Sequence, residues 1–245
     1  TSIGAFALED NTGSNNTGCG YGSLAQNTSG SSNTAVGDHA LTNNTTASHN
    51  TAVGHNALDA NTTGDRNTAL GHDSLSANTT GSHNVALGAR AMISGTGSNN
   101  VIIGKSAGEA GSFSGSSNTA IGYYAGSAIT TGNNNVTVGA NAGDSNTSAS
   151  DNTLIGYNCG QALTSNGAST YVGSNAGQLT TGGVNTFIGA NAGANMTTGS
   201  YNICLGYAAN SSSNSSSGQC TLGDTNIGNL RCNDTSISSL SDRRD

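Results

Sequence analysis

Apolar residues recur along this chain at fixed places in a cell of sixteen to eighteen residues, and each is closely followed by Gly. The cell is clearest from Asn50 to Arg66, NTAVGHNALDANTTGDR, and its seventeen places are numbered here from that Asn. Place 4 holds a medium apolar side chain (Val36, Val53, Leu70, Leu87, Ile103, Ile121), and place 5 holds Gly (Gly37, Gly54, Gly71, Gly88, Gly104, Gly122). Place 8 is Ala or nearly as small, and places 12 to 17 form a polar cluster typified by NTTGS. Short T-A-V runs with β-branched residues, bounded by Asn, Thr, Gly and Ser, read as strands and tight corners rather than helices. A fixed period of this length is the mark of a solenoid, in which each unit buries its apolar side chains against its neighbours. The expected fold is therefore all-β: a parallel β-solenoid or β-roll of about fourteen coils, with strand spacing near 4.8 Å and a length on the order of 60–70 Å.

Stacking turns each place into a ladder. Asn occupies place 1 in eleven cells, among them Asn33, Asn50, Asn67 and Asn84, with Ser169 and Gln219 breaking the run. Its amide is expected to bond corner backbone and the next Asn in line. Gly at place 5 fits either a positive-φ bend or a close approach of a second backbone. One Val or Ile, one or two Ala and one Leu per coil amount to little apolar area. At ~25 cal/mol per Å² this barely offsets the ordering entropy of a coil. That shortfall predicts a homotrimer, intertwined or side by side around a common axis, with a self-sufficient monomer as the alternative.

A second pattern divides the chain. In residues 1–92 place 9 is Leu or Met (Leu24, Leu41, Leu58, Leu75, Met92), whereas in residues 93–226 it becomes Gly (Gly108, Gly126, Gly143, Gly160, Gly177, Gly193). In that second block a large apolar residue appears at place 12, as Ile129, Leu163 and Met196, where earlier cells have Asn44, Asn61 and Asn78. One continuous rod is expected, with its cross-section or twist changing near residues 93–108, followed by a C-terminal cap or tail over 227–245.

Composition narrows the chemistry. The chain has 245 residues, no Pro, no Trp, 37 Gly and 33% apolar residues, a make-up also compatible with disorder. Disorder needs composition but not phase, and the phase is kept throughout. A net charge of −7, with few and scattered cations, excludes a nucleic-acid groove. No apolar run approaches a membrane span, so no membrane insertion is expected. The absence of a signal peptide and an initiating Met predicts an internal or processed piece of a longer protein.

Candidate site chemistry is sparse, and neither an enzyme nor a cofactor site is expected. His55 and His72 share place 6, and His49 and His83 share place 17. These histidines read as surface residues in turns rather than metal ligands, and no metal is assigned. The acidic residues lack the regular spacing of calcium-binding coils, and no Gly-rich stretch has a phosphate-loop pattern. Sequons such as Asn61-Thr62-Thr63 recur because the corner recurs. The five Cys fall mostly where small residues belong and read as buried thiols, with Cys220 and Cys232 as a candidate pair in the cap.

The strings NTAVGHNAL (Asn50 to Leu58), NVALGARAM (Asn84 to Met92) and NTAIGYYAG (Asn118 to Gly126) resemble the head repeats of trimeric autotransporter adhesins. They are also similar to shaft repeats of phage tail fibres and spikes that end in a self-cleaving intramolecular chaperone. The tail LSDRRD, Leu240 to Asp245, resembles the opening of that chaperone. The resemblance implies cleavage between Leu240 and Ser241, with Ser241, Asp242 and Arg244 matching the motif, while the assisting Lys and the chaperone itself are not in this sequence. It further implies a structural and adhesive fibre segment of a virion tail, extracellular and trimeric. Its partners would be other tail components and a host surface glycan or protein receptor. Exposed Tyr123, Tyr124, Tyr157 and Tyr207 would supply stacking contacts, multiplied by avidity. A bacterial surface adhesin and an ice-binding solenoid with a flat Thr face are the alternatives.

Overall fold

The absence of proline has its explanation in the backbone: around each coil, N–H groups are consumed by the coil above or below. In the computed structural model, which describes residues 1–227, fourteen strands run from Ser2–Ile3 to Cys220–Leu222. They form one sheet in strict chain order. All pairings are parallel and in phase with the cell, as in Thr51↔Thr68, Ala52↔Ala69 and Val53↔Leu70. Hydrogen bonding continues beyond the strands. Gly54 N–H donates to the Val36 carbonyl at 2.9 Å, Asn56 N–H to Asp38 at 3.0 Å and Leu58 N–H to Ser74 at 3.0 Å. A proline at any of these donors would remove a rung bond. No helix occurs among the described residues.

The corners are built from left-handed residues. Places 7, 9 and 17 carry positive φ, as at Asn56 (φ 53), Leu58 (φ 54) and Arg66 (φ 56). Asn, Asp and His tolerate this region better than most residues, and they recur at places 7 and 17. Place 5 is stricter. Gly54 has φ 137, and a Cβ there would lie 2.6 Å from the Gly71 carbonyl oxygen of the next coil. Both readings of this ladder, the bend and the close approach, therefore apply together.

The inside of the coil differs from the sequence expectation at one place. Place 3 points inward: Ala35, Ala52, Ala69 and Ala86 are fully buried, together with place 8 (Ala40, Ala57, Ser74, Ala91) and place 9 (Leu41, Leu58, Leu75, Met92). Place 4 points outward, so Val36, Val53, Leu70 and Leu87 form a ladder on the outer face and add nothing to the core. The cause is strand alternation: with Ala inward at place 3, its neighbours at places 2 and 4 must face out.

Two files of buried Asn replace the missing apolar volume. At place 1, the Asn50 side-chain amide donates to the Gly64 carbonyl at 2.9 Å, tying the two ends of its own coil together. Its Oδ1 accepts the backbone N–H of Asn67, one coil on, at 2.8 Å. At place 12, Asn61 Nδ2 donates to Asn44 Oδ1 at 3.1 Å and to the same Gly64 carbonyl at 2.9 Å. Where Ser169 interrupts the first file, its backbone N–H still donates to Asn152 Oδ1 at 3.0 Å. The Tyr171 hydroxyl reaches the Gly182 carbonyl at 3.4 Å in place of the missing amide.

The second block fills its core differently. Place 3 grows to Leu154, Tyr171 and Phe187, while Ile129, Leu163 and Met196 enter at place 12, all buried. Gly at place 9 makes room: a Cβ at Gly177 would sit 2.6 Å from the Tyr171 ring, and one at Gly193 would sit 2.5 Å from that of Phe187. Tyr171 and Phe187 stack at 4.7 Å between centroids. Phe113, in the long cell after Met92, is also fully buried, with Gly95 bridging to it in parallel. The sheet is continuous through this region. The apolar core itself divides further along, one cluster ending at Ile129 and the next starting at Leu154. Between them lies buried Thr137.

Replacing Asn67 by Leu keeps the branched shape while adding bulk, and removes the acceptor for the Asn84 N–H, bonded at 2.9 Å, and the donor to Gly81. A loss of ~1–3 kcal/mol is expected from the orphaned buried group. Denaturant titration is the measurement, with exposed Thr63→Ala as a control changing stability by less than about 0.5 kcal/mol. Equal effects of the two would mean that the Asn file is not holding the coil.

Candidate binding surface

Strand alternation places two files on the outer face of the sheet. Place 2 is Thr in most coils (Thr34, Thr51, Thr68, Thr119, Thr153, Thr170, Thr186), and place 4 is the apolar ladder beside it. Leu70 is 53% exposed, Ile188 44% and Val36 38%. The result is a strip of alternating hydroxyl-bearing and apolar rows, with rungs spaced about 4.8 Å, along the whole sheet.

The corner at place 6 borders this strip. Tyr21, Tyr123, Tyr157 and Tyr207 all stand there, each at least half exposed. Tyr124 lies one place on, less exposed, and meets Tyr123 edge to face at 4.5 Å, so it supports its neighbour rather than offering a free ring. The Lys105 ammonium lies 5.9 Å from the Tyr123 ring centre, within cation–π range.

Earlier in the same file the corner carries ionisable groups. His55 and His72 stack face to face, with ring centroids 5.2 Å apart and planes 8° from parallel. Asp73 adds a carboxylate oxygen 3.1 Å from His72 Nδ1. Shared phase pairs the two histidines alone; the carboxylate comes from Asp73, which directly follows His72 and so stands at the neighbouring corner place. His49 and His83, at place 17, are exposed.

The thiols split into two kinds. Cys159 and Cys204 are buried, at places 8 and 3. Desolvation pushes the Cys159 thiol up from the ordinary 9.0 to about 12, and burial also raises Cys204. Cys19 and Cys220 lie on the outer sheet face instead, half-buried and exposed, which corrects their expected burial. Their outward aim follows from places 4 and 2 of the strand. The Cys220–Cys232 pair and the junction residues Leu240, Ser241, Asp242 and Arg244 fall outside the described residues.

Charge contributes little here. Arg90 is engaged by Glu109 at 2.6 Å, and among the described residues no apolar helix capable of crossing a membrane occurs. No family model, curated protein or solved structure matches this chain.

Thiolate character sets alkylation rate, so at pH 8 Cys220 is expected to react with iodoacetamide at least tenfold faster than Cys159 in the folded chain. Mass spectrometry of the labelled peptides reads this directly. The raised Cys159 pKa also fixes a sign. Its contribution to stability is complete below pH 9.0 and is lost as pH rises through about 12, because the unfolded thiol ionises first.

Proposed function

We propose that this chain is a structural and adhesive segment of a phage tail fibre or spike, working as a homotrimer that extends toward the host and contacts its surface. The observation that supports this reading is the outward apolar file. Isolated surface Val or Leu is ordinary, but a row of partly to largely exposed apolar residues along the sheet is the kind of patch that marks an interaction surface. Packing three such faces around a common axis would cover it. Each coil closes its own small core, and the area calling for a partner lies outside.

The remaining geometry suits a fibre. Rungs bonded along the axis give a stiff rod with side chains presented at fixed intervals. Exposed Tyr at place 6 offers stacking faces for sugar rings, and the polar corners offer hydroxyl and amide groups. Each contact would be weak, and three copies per particle would multiply it. A bacterial surface adhesin would use the same contacts. The repeat and tail resemblance favours the virion.

Sedimentation equilibrium of the intact chain is expected to give three copies per particle. Leu70→Asp combined with Ile121→Asp should reduce it to single chains with the same circular dichroism. Trimers should bind host-cell surfaces, and Tyr157→Ala with Tyr123→Ala should lower retention by at least tenfold. A wild-type chain that stays monomeric at micromolar concentration would remove the trimer from this reading.

The Thr file gives a second reading its own support. Hydroxyls repeated at strand spacing could order water, which an ice-binding solenoid requires of a flat face, although Val85, Val101, Val136, Ile203 and Cys220 interrupt the row. Thermal hysteresis of the purified chain, lost in Thr51→Lys with Thr68→Lys, is the expected outcome of that reading. No hysteresis at millimolar concentration would exclude it.

A further inference from the structure

We infer that His55, His72 and Asp73 form a binding site for a divalent transition-metal ion of the zinc class. Two imidazoles and one carboxylate are a donor set that borderline ions such as Zn²⁺ accept, with remaining positions left to water. One ligand atom from each of the three residues lies within 4.8 Å of the others. A tetrahedral ion with bonds of 2.0–2.2 Å needs donors about 3.4 Å apart, so the cluster must contract by at most about 1.4 Å. Both rings are exposed and stacked, so an ion would bind them after rotation about their side-chain torsions has turned the ring nitrogens out of parallel planes toward a shared point.

The backbone beneath the cluster is already fixed. Asp73 N–H donates to the His55 carbonyl at 3.0 Å, linking the two coils at the very corner that carries the ligands. The carboxylate is also oriented: Asn56 Nδ2 donates to Asp73 Oδ1 at 3.1 Å, while Oδ2 is the oxygen facing His72. A donor that holds one carboxylate oxygen and leaves the other for the metal is the usual outer-shell arrangement of a ligating Asp. Arg90, on the next coil at the place equivalent to Asp73, is drawn away by its ion pair with Glu109, which limits its competition for the carboxylate. A bound ion would clip two successive rungs from outside, and the site is complete within one chain.

The test is calorimetric titration of the untagged intact chain with zinc chloride in a non-coordinating neutral buffer, with cobalt(II) absorption as a second readout. One ion per chain is expected, with an intense tetrahedral cobalt band. His55→Ala and His72→Ala should each weaken binding at least tenfold. Asn56→Ala should weaken it by about tenfold through the freed carboxylate. Zinc should raise the melting temperature of the wild-type chain and leave that of His72→Ala unchanged. The exposed pair His49→Ala and His83→Ala should bind as wild type does. A wild-type chain that takes up no zinc, or a His55→Ala/His72→Ala double variant that binds as well as wild type, would overturn the site.

Discussion

Parallel stacking of coils places one demand above all others: every backbone polar group inside a narrow tube must find a partner where water does not reach. The place-1 Asn meets that demand in two directions. Through Nδ2 it closes its own coil, and through Oδ1 it receives the backbone N–H of the next, as Asn50 does with Gly64 and Asn67. Because the interior is polar as well as small, a large hydrophobic centre is not what sets the register. A buried amide with both ends satisfied is worth far more than its nominal bond energy once the alternative is an orphaned group.

Within that frame, the source of core volume moves around the coil. Leu58 fills place 9 where place 3 is Ala52, whereas Gly177 stands at place 9 where place 3 is Tyr171. The exchange also relieves backbone conformation, since place 9 is left-handed in both blocks and Gly adopts that region without steric cost. Close packing accounts for the exchange at Tyr171 and Phe187: a bulky side chain at both places would not fit.

The outer surface follows from the inner one. Once Ala, Tyr or Phe at place 3 is committed inward, Thr at place 2 and the apolar residue at place 4 are committed outward, and repetition makes a strip of them. The same repetition brings His72 over His55 and sets Asp73 beside them. Functional potential here comes from which side chains a rung-by-rung file happens to collect at its corners.

The period, the parallel stacking, the Asn and Gly ladders and the exchange at place 9 were all legible in the sequence, because each is a statement about phase and phase survives without coordinates. Which way place 4 points was not: T-A-V offers either Ala or its flanking residues to the core, and only closure of a narrow coil selects Ala. The His55, His72 and Asp73 group was half legible, the histidines sharing a phase. The carboxylate joined them only through the left-handed turn at Asp73 (φ 53) and the bond from Asn56, which bring adjacent corner places to one point. Sequence periodicity determined what stacks upon what. Tertiary structure alone decided what faces inward, because that choice depends on the volume a closed coil encloses.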